Sequence, residues 1–336
     1  MVLEELNSAS RRVTLADVAD HTGFSRALVS IVMRDVPGAS DQTRAIVLAA
    51  ANELGYRPDI RARSLAGTHS RVIGVVFGVA GTFHFNLLDG LYGIAERNNY
   101  GLALSAMTRS RDESRAVQTL QGFRFDGLIM LGPAVDSPVM AGKVPMAVIG
   151  WKPESTGVDS VRTSDDRGMF LAVEHLAELG HRRIAHIDGG DSMVSRSRKA
   201  SFLAAMSAFG LGSTASVVAG GDTQLGGHMA AKTILEANVK PSAIIAFNDD
   251  VAIATVSLLS QSGITVPKQI SVIGWDDTEA ARLASPPLTT IAQKPQRLSE
   301  HAFERLLARI EGDNGPSTDS VFDPDLIVRK STSPRE

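Results

Sequence analysis

The chain has 336 residues, of which 43% are hydrophobic and 21% charged, and its formal net charge is −3. This length predicts two or three domains with enough apolar surface to fold without covalent cross-links. The absence of cysteine excludes disulfides, thiolate nucleophiles and cysteine-ligated metal sites. The longest apolar runs are only strand-sized, and the first residues lack the basic start of a signal peptide, so we expect neither a membrane span nor secretion.

The charge is unevenly distributed along the chain. Residues 6–71 contain nine arginines and six acidic residues, a local charge of about +3, so the remainder carries about −6. Every basic residue before Lys143 is an arginine, whose planar guanidinium can bind a phosphate or a guanine edge through two hydrogen bonds. A solvated helical surface would show the same charges, so the distribution alone leaves both interpretations open.

Three short helices are predicted before residue 56. Thr14 and Asp17 have the spacing of a capping box for a first helix that ends before Gly23. Ser25 and Ser40 are suitable N-caps for the second and third helices. The predicted bounds are residues 14–22, 26–33 and 40–54. A helix, a short turn containing glycine and a second helix are typical of a helix-turn-helix, although a small helical bundle can show the same pattern.

Short apolar strands alternate with helical segments beyond residue 71. This alternation predicts an α/β structure in which parallel sheets carry helices on both faces. Two such series indicate a two-lobed core, with ligand chemistry at the carboxyl ends of the strands. The predicted strands are residues 72–77, 102–106, 128–131, 184–188, 217–219, 243–247 and 271–275. The predicted helices are residues 86–98, 113–123, 169–179, 198–209, 226–237 and 251–261.

Several sequence blocks occur in a fixed order between Val13 and Gln293. They are Val13-Thr-Leu-Ala-Asp-Val-Ala19, Gly23-Phe-Ser25, Val29-Ser30, Leu54-Gly-Tyr-Arg-Pro58, Ala62-Arg-Ser-Leu-Ala66, Val173-Glu-His-Leu-Ala-Glu-Leu-Gly-His181, Phe247-Asn-Asp249, Ile273-Gly-Trp-Asp276 and Pro287-Leu-Thr-Thr290. In order and spacing these blocks closely resemble the lactose/galactose repressor (LacI/GalR) family of bacterial transcriptional regulators.

The resemblance implies an N-terminal all-α helix-turn-helix headpiece over residues 1–58 and a hinge helix or linker over residues 59–70. Residues 71–336 would form an effector-binding and dimerisation core of two interleaved α/β lobes, similar to periplasmic sugar-binding proteins. Such regulators bind pseudo-palindromic double-stranded operator DNA as homodimers, and a small effector modulates that binding. We therefore expect a sequence-specific DNA-binding repressor of transcription that is cytoplasmic and associates with the nucleoid when bound to its operator.

The same resemblance assigns candidate DNA contacts. The second helix would enter the major groove, where each base pair presents a distinct hydrogen-bonding pattern, and Arg26 can bind guanine O6 and N7. In the hinge, Leu65 would insert into the minor groove while the flanking Arg61 or Arg63 contacts phosphate. A surface arginine and a leucine packed in the dimer or linker are the rival interpretations. The candidates are Thr14, Leu15, Ser25, Arg26, Ala27, Ser30, Ile31, Tyr56, Arg57, Arg61 and Leu65.

Polar residues that follow strand ends are the candidate effector contacts. Arg198, Asn248 and Asp276 combine a guanidinium fork, an amide and a carboxylate, which together can satisfy several hydroxyl groups. Phe83 could stack on a sugar or base, and Asp165 is a further candidate. We expect a sugar or related metabolite as the effector.

Some residues depart from the family pattern. Leu28, Ile31 and Met33 stand where the family commonly has threonine, arginine and asparagine, which predicts a different operator sequence. Gly81-Thr82 replaces an asparagine–proline pair, and Ser164-Asp165 replaces an aspartate–asparagine pair. Both of these departures lie on the effector side of the predicted core, so an atypical ligand is expected.

Other chemistry finds little support in the sequence. His175, His181 and His186 lack the spacing of a metal-binding motif, and the glycine pairs lack the lysine of a phosphate-binding loop. We expect no metal, no cofactor and no enzymatic activity, since no nucleophile is paired with a base. The alternative function is that of a solute-binding protein of a transport system without a DNA role.

Overall fold

The computed structural model describes residues 13–33, 36–56, 69–79, 81–108, 110–132, 143–154 and 157–335. Within these residues, no helix is both long enough and apolar enough to cross a membrane. The chain divides into two compact units, Met1–Ser70 and Arg71–Glu336. The described part of the first unit is called the headpiece here, and the second unit is called the core.

The described headpiece contains helices α1 (Leu15–Thr22), α2 (Arg26–Met33) and α3 (Asp41–Glu53). The Thr14 backbone N–H donates to the Asp17 carboxylate at 2.7 Å, and the Thr14 side chain accepts from the Asp17 N–H, which confirms the predicted capping box. Gly23 ends α1 at φ 73°, a left-handed conformation that glycine adopts without strain. The three helices share one small core, formed by Val18, Ala19, Val29, Val32, Val47, Ala50 and Ala51.

The first lobe of the core is built from six strands and the helices that cover them. The strands are β1 (Val72–Gly78), β2 (Gly101–Met107), β3 (Gly127–Leu131), β4 (Met146–Ile149), β5 (Asp159–Thr163) and β11 (Asp319–Phe322). The helices are α4 (Phe83–Arg97), α5 (Glu113–Gln121) and α11 (Pro295–Ile310). The strand order is β11-β5-β4-β3-β1-β2, and all pairs are parallel. Every residue of β3 and β4 is buried, because helices cover both faces of a parallel sheet.

The second lobe repeats this architecture. Its strands are β6 (Ile184–Ile187), β7 (Ala215–Val218), β8 (Ala243–Ala246), β9 (Ser271–Trp275), β10 (Thr289–Ala292) and β12 (Asp325–Ile327). Its helices are α6 (Asp165–Glu178), α7 (Met193–Ala208), α8 (Gln224–Glu236), α9 (Asp249–Gln261) and α10 (Glu279–Leu283). The strand order is β12-β10-β9-β8-β6-β7, with only β12 antiparallel to its neighbour.

The two lobes are interleaved in sequence. The chain enters the second lobe between β5 and α6, returns to the first between β10 and α11, and crosses again between β11 and β12. On its return, α11 packs against α4 in the apolar centre of the first lobe. This architecture confirms the predicted two-lobed core with parallel sheets.

Three core helices begin three or more residues earlier than the sequence predicted. The observed first residues are Phe83, Asp165 and Met193, against predicted starts at residues 86, 169 and 198. In two of these helices a serine provides the start: Ser164 Oγ accepts from Arg167 N, and Ser192 Oγ accepts from Ser195 N, each at 3.1 Å. Arg198 therefore lies in the second turn of α7 and does not open it. The caps set these boundaries, whereas the apolar periodicity marks only the buried part of each helix.

Candidate effector site and nucleic-acid interface

The candidate effector site is a cavity of about 600 Å³ between the two lobes of the core, where strands of both sheets end. Its volume lies in the range of small-molecule sites, and its position follows the rule that parallel sheets bind ligands at their carboxyl ends. The first lobe contributes mainly apolar side chains, including Val79, Phe83, Leu87, Met107 and Ile149. The second lobe contributes mainly polar side chains, including Asp165, Arg198, Asp222, Asn248, Asp276 and Gln293.

Arg198 is the central buried charge of the site, with only 5% of its surface exposed. Its Nε donates to Asp165 Oδ1 at 3.1 Å, and its Nη1 donates to the Phe247 carbonyl oxygen at 2.6 Å. A buried charge needs such partners, because removing it from water costs several kcal/mol. The interaction joins the first turn of α6 to α7 and to the end of β8.

Two aromatic rings pack against the same guanidinium. Its Cζ lies 4.2 Å from the Trp275 ring centroid and 4.7 Å from that of Phe247, both within cation–π range. The Trp275 ring occupies space that only glycine leaves free on α6, since a Cβ at Gly168 would lie 2.4 Å from the ring. Trp275 is therefore a packing residue of the site, and its ring holds the Arg198 guanidinium in place.

Asp276 follows β9 and is nearly fully buried at 8% exposure. Its Oδ1 accepts a hydrogen bond from Gln293 Nε2 at 2.5 Å, and its backbone has φ 118°. Burial raises the pKa of Asp276 well above its ordinary value, and Arg198 opposes that shift. Desolvation disfavours the charged carboxylate, so the group retains a proton more readily than an exposed aspartate.

Asp249 is a second buried carboxyl group, next to the cavity rather than in its lining. Its Oδ1 accepts from Thr290 Oγ1 at 2.7 Å, while its Oδ2 accepts from Thr278 N at 2.8 Å and Thr278 Oγ1 at 3.0 Å. Burial raises the pKa of Asp249 to about 6 despite these three donors. These bonds tie α9 to β10 and to the segment after β9, which fixes the loop that carries Asp276.

All five predicted effector residues line the cavity: Phe83, Asp165, Arg198, Asn248 and Asp276. Two of them also have structural roles that the sequence did not indicate. Asn248 caps α9 by accepting from Val251 N and donates Nδ2 to the Asp222 carbonyl oxygen, both at 2.8 Å. Phe83 is the first residue of α4 and packs against the apolar centre of the first lobe.

Sequence reasoning missed several polar residues that also line the cavity, among them His84, Asp222 and Gln293. Asp222 follows a glycine pair after β7, so its place after a strand could have indicated it. Gln293 could not be found in that way, because β10 lies outside the predicted strands. His84 is half-buried beside Phe83, with Nδ1 2.9 Å from the Gly78 carbonyl oxygen.

The candidate nucleic-acid interface lies on the headpiece. Arg26 and Ala27 are exposed at the start of α2, whereas Val29 and Val32 point into the headpiece core. Ser25 Oγ accepts from Leu28 N at 3.2 Å and so caps the helix. The exposed start of α2 can therefore meet base edges without disturbing the packing of its other face.

The remaining predicted DNA contacts differ in accessibility. Thr14 is exposed, and Ser30 and Ile31 are half-buried. Leu15 and Tyr56 are half-buried and pack against the headpiece core. Arg57, Arg61, Leu65 and most of the hinge lie outside the described residues.

His175, His181 and His186, the histidines weighed above as metal ligands, have structural partners in the second lobe. His175 Nε2 lies 3.0 Å from Thr332 Oγ1, His181 Nε2 lies 3.1 Å from the Ser333 carbonyl oxygen, and His186 Nδ1 lies 2.9 Å from the Ile245 carbonyl oxygen. Burial lowers the pKa of all three, that of His186 to about 4. Across the described part of the chain, no group of three or more acidic, histidine or cysteine residues could hold a metal ion.

Comparison with known proteins agrees with this geometry. Residues 14–59 match the family model for bacterial regulatory proteins of the lacI family, and residues 173–332 match a periplasmic binding protein-like domain. The PurR transcriptional repressor of Photobacterium profundum is 31% identical over 330 residues, which cover 95% of this chain and 98% of the relative.

Solved structures support the same relationship. A LacI transcriptional regulator from a Rhodococcus species is 42% identical with a TM-score of 0.75, covering 78% of this chain and 98% of that one. The Lac repressor dimer bound to operator and the anti-inducer ONPF is 29% identical with a TM-score of 0.83, covering 96% of this chain and all of that one.

A helix-turn-helix headpiece followed by a two-lobed binding core defines a DNA-binding transcriptional regulator. The matches over both parts of the chain make the family explicit. The chain belongs to the LacI family of bacterial regulatory proteins.

Substitution of Asp276 by asparagine is expected to change how stability depends on pH. Because the folded pKa of Asp276 lies above its unfolded value, its stabilising contribution is complete below the ordinary pKa and is lost as pH rises through the folded pKa. Asparagine does not titrate and tolerates positive φ. The free energy of unfolding of the native chain minus that of Asp276→Asn should therefore be larger at pH 5 than at pH 8. Urea unfolding at both pH values measures it, and a pH-independent difference would contradict the assignment.

Proposed function

We propose that this regulator represses transcription as a homodimer on a pseudo-palindromic operator, and that a small polar effector bound between the core lobes modulates its affinity for DNA. The observation that carries the proposal is the cavity lined by Arg198 and Asp276 in a chain whose headpiece exposes Arg26. Differential affinity of the effector for two arrangements of the lobes would shift the population that binds the operator. The protein acts in the bacterial cytoplasm, at the nucleoid when bound, and without enzymatic turnover.

The solute-binding alternative has no support. Residues 14–59 match a regulatory-protein family, and PurR of Photobacterium profundum, a repressor, aligns over 95% of this chain.

The composition of the cavity favours a neutral effector such as a sugar or a related metabolite. Its described lining carries three carboxyl groups, those of Asp165, Asp222 and Asp276, against a single arginine and no lysine. Arg198 is already paired with Asp165, so an anionic ligand would meet no free cation there. Asp276 retains acceptor capacity for a hydroxyl or amine donor, while the apolar wall of the first lobe can cover a ring face.

The exposed apolar side chains of the core support a second copy of the chain as the partner. Leu225 and Met229 lie four residues apart on α8 and are 61% and 54% exposed, and Phe85 and Tyr92 lie seven apart on α4 and are 56% and 44% exposed. Each pair lies on one face of its helix. One such face in each lobe suits an isologous interface, in which a two-fold axis brings the same surfaces together.

Arg26→Ala and Leu65→Ala are each expected to weaken operator binding. Loss of a bidentate arginine–guanine contact costs about 1–3 kcal/mol, and loss of the leucine removes the wedge that kinks the minor groove. Gel-shift titrations against the DNA upstream of the chain's own gene measure both. Arg97→Ala, an exposed arginine of α4 paired with Glu300, is the matched control and should bind DNA as the native chain does. Unchanged affinity in both headpiece and hinge variants would refute these DNA contacts.

A panel of neutral sugars and nucleosides, each paired with its phosphorylated form, tests the effector. A compound that binds the native state stabilises it by mass action, by about 2.7 kcal/mol at a hundredfold excess over Kd. This stabilisation raises the melting temperature. We expect shifts of the melting temperature from neutral compounds only. These shifts should be smaller in Asp276→Asn. They should be unchanged in the control Asp325→Asn, whose carboxylate forms an exposed ion pair with Lys294. A shift of equal size in native chain and Asp276→Asn would place the ligand elsewhere.

The double substitution Leu225→Asp and Met229→Asp tests the dimer face. Two charges on an apolar interface should produce monomers in sedimentation velocity at concentrations where the native chain is dimeric. Val239→Asp changes a more exposed valine, at 65% exposure, in the turn after α8 and should remain dimeric. Persistence of the dimer in the double variant would exclude this face.

A further inference from the structure

A polar contact joins the two lobes at the rim of the cavity. Thr82, in the first lobe immediately before α4, donates from its backbone N and from its Oγ1 to Asp250 Oδ2, at 3.4 and 3.3 Å. Asp250 lies in the first turn of α9, in the second lobe. A single carboxylate oxygen therefore receives two donors from the opposite lobe.

The electrostatic setting of this carboxylate is favourable. Thr82 is the N-cap residue of α4, but its side chain makes no capping hydrogen bond within that helix. Asp250 supplies an acceptor at this helix start from the other lobe, while it also lies at the start of its own helix, α9. The N-termini of both helices carry partial positive charge, which stabilises a negative group placed between them.

The local backbone leaves room for the contact. Gly81 has φ 87°, and a Cβ at this residue would lie 3.9 Å from Asp250 Oδ2, with no closer contact among the described residues beyond its chain neighbours. A glycine at this point lets the chain turn from the end of β1 into α4 with the Thr82 N–H directed at the carboxylate.

A second contact between the lobes is apolar. Met193 and Val194, in the first turn of α7, pack against the buried cluster of the first lobe that contains Trp151 and Met107. Val194 also lines the cavity. The lobes are thus joined by side chains that come from two different helix starts of the second lobe, α7 and α9.

We propose that Thr82 and Asp250 form a latch that holds the lobes together over the cavity, and that they are positioning residues for effector binding. The latch favours the arrangement in which Arg198 and Asp276 face the apolar wall of the first lobe. A ligand that needs this arrangement of the lobes binds with an apparent affinity that increases with the fraction of molecules in that arrangement. The role in effector binding rests on the proposed function, whereas the latch itself concerns only the two lobes.

The latch uses residues at which this chain departs from the family pattern given above. Gly81-Thr82 stands where the family pattern has an asparagine–proline pair, and proline has neither an N–H nor a hydroxyl to donate. The φ of Thr82, −66°, is one that proline adopts without strain. Thr82→Pro therefore removes both donors with no change of φ, whereas Thr82→Val removes only the hydroxyl donor.

Fluorescence energy transfer between the lobes tests the latch directly. The chain has no cysteine, so Glu96→Cys on α4 and Ser262→Cys after α9 give one label site in each lobe without background. The measurement uses the full chain with neither DNA nor effector present, so its result is independent of the proposed function. Removal of one exposed hydrogen bond is expected to raise the ratio of separated to joined lobes by about threefold to tenfold.

The variants distinguish a latch from a local effect. The transfer efficiency should fall in each of Thr82→Val, Thr82→Pro and Asp250→Ala. It should stay at the native value in Thr82→Ser, which keeps both donors. Thr233→Val is the matched control, since that hydroxyl donates only to the Met229 carbonyl oxygen within α8. Thermal unfolding checks that each variant is folded. Native transfer efficiency in folded Thr82→Pro and Asp250→Ala would overturn the proposal.

Discussion

The enclosure of one guanidinium organises the effector side of the core. Arg198 bridges Asp165 and the Phe247 carbonyl oxygen while two aromatic rings cover its faces. The pairing is obligatory, because a carboxylate or a guanidinium left alone at this depth would cost several kcal/mol. It fixes the start of α6 and the second turn of α7 relative to the ends of β8 and β9, and these four segments carry the polar side of the cavity. The absence of a side chain at Gly168 is part of the same constraint, since it admits Trp275.

The headpiece was the most predictable part of the chain, because its signals are local. The Thr14–Asp17 capping box and Gly23 mark their helix boundaries within a few residues of sequence. In the core, the fold class and most strands of the central sheets followed from alternation, but β4, β5 and β10 to β12 did not. Those strands are three to five residues long and are stabilised by neighbours distant in sequence, so no local pattern identifies them.

The effector site was predictable in its positions but not in its internal bonds. Strand ends indicated Asn248 and Asp276, and both line the cavity. The pairing of Arg198 with Asp165 joins residues 33 apart, and that of Gln293 with Asp276 joins residues 17 apart, so both depend on tertiary packing. One wall of the cavity is apolar and belongs to the first lobe, and the other is polar and belongs to the second. This division cannot be inferred from sequence until it is known where the chain crosses between the lobes.

The last two strands have a consequence for synthesis of the protein. β11 completes the first sheet beside β5, and β12 completes the second beside β10, so residues 319–327 supply an edge strand to both lobes. The headpiece can fold as soon as its own residues leave the ribosome, since domains fold as units from the N-terminus. Neither core lobe can complete its sheet until residues 319–327 have been translated. A nascent regulator therefore has a folded headpiece before its core is complete, and its unfinished sheet edges depend on protection from aggregation during that interval.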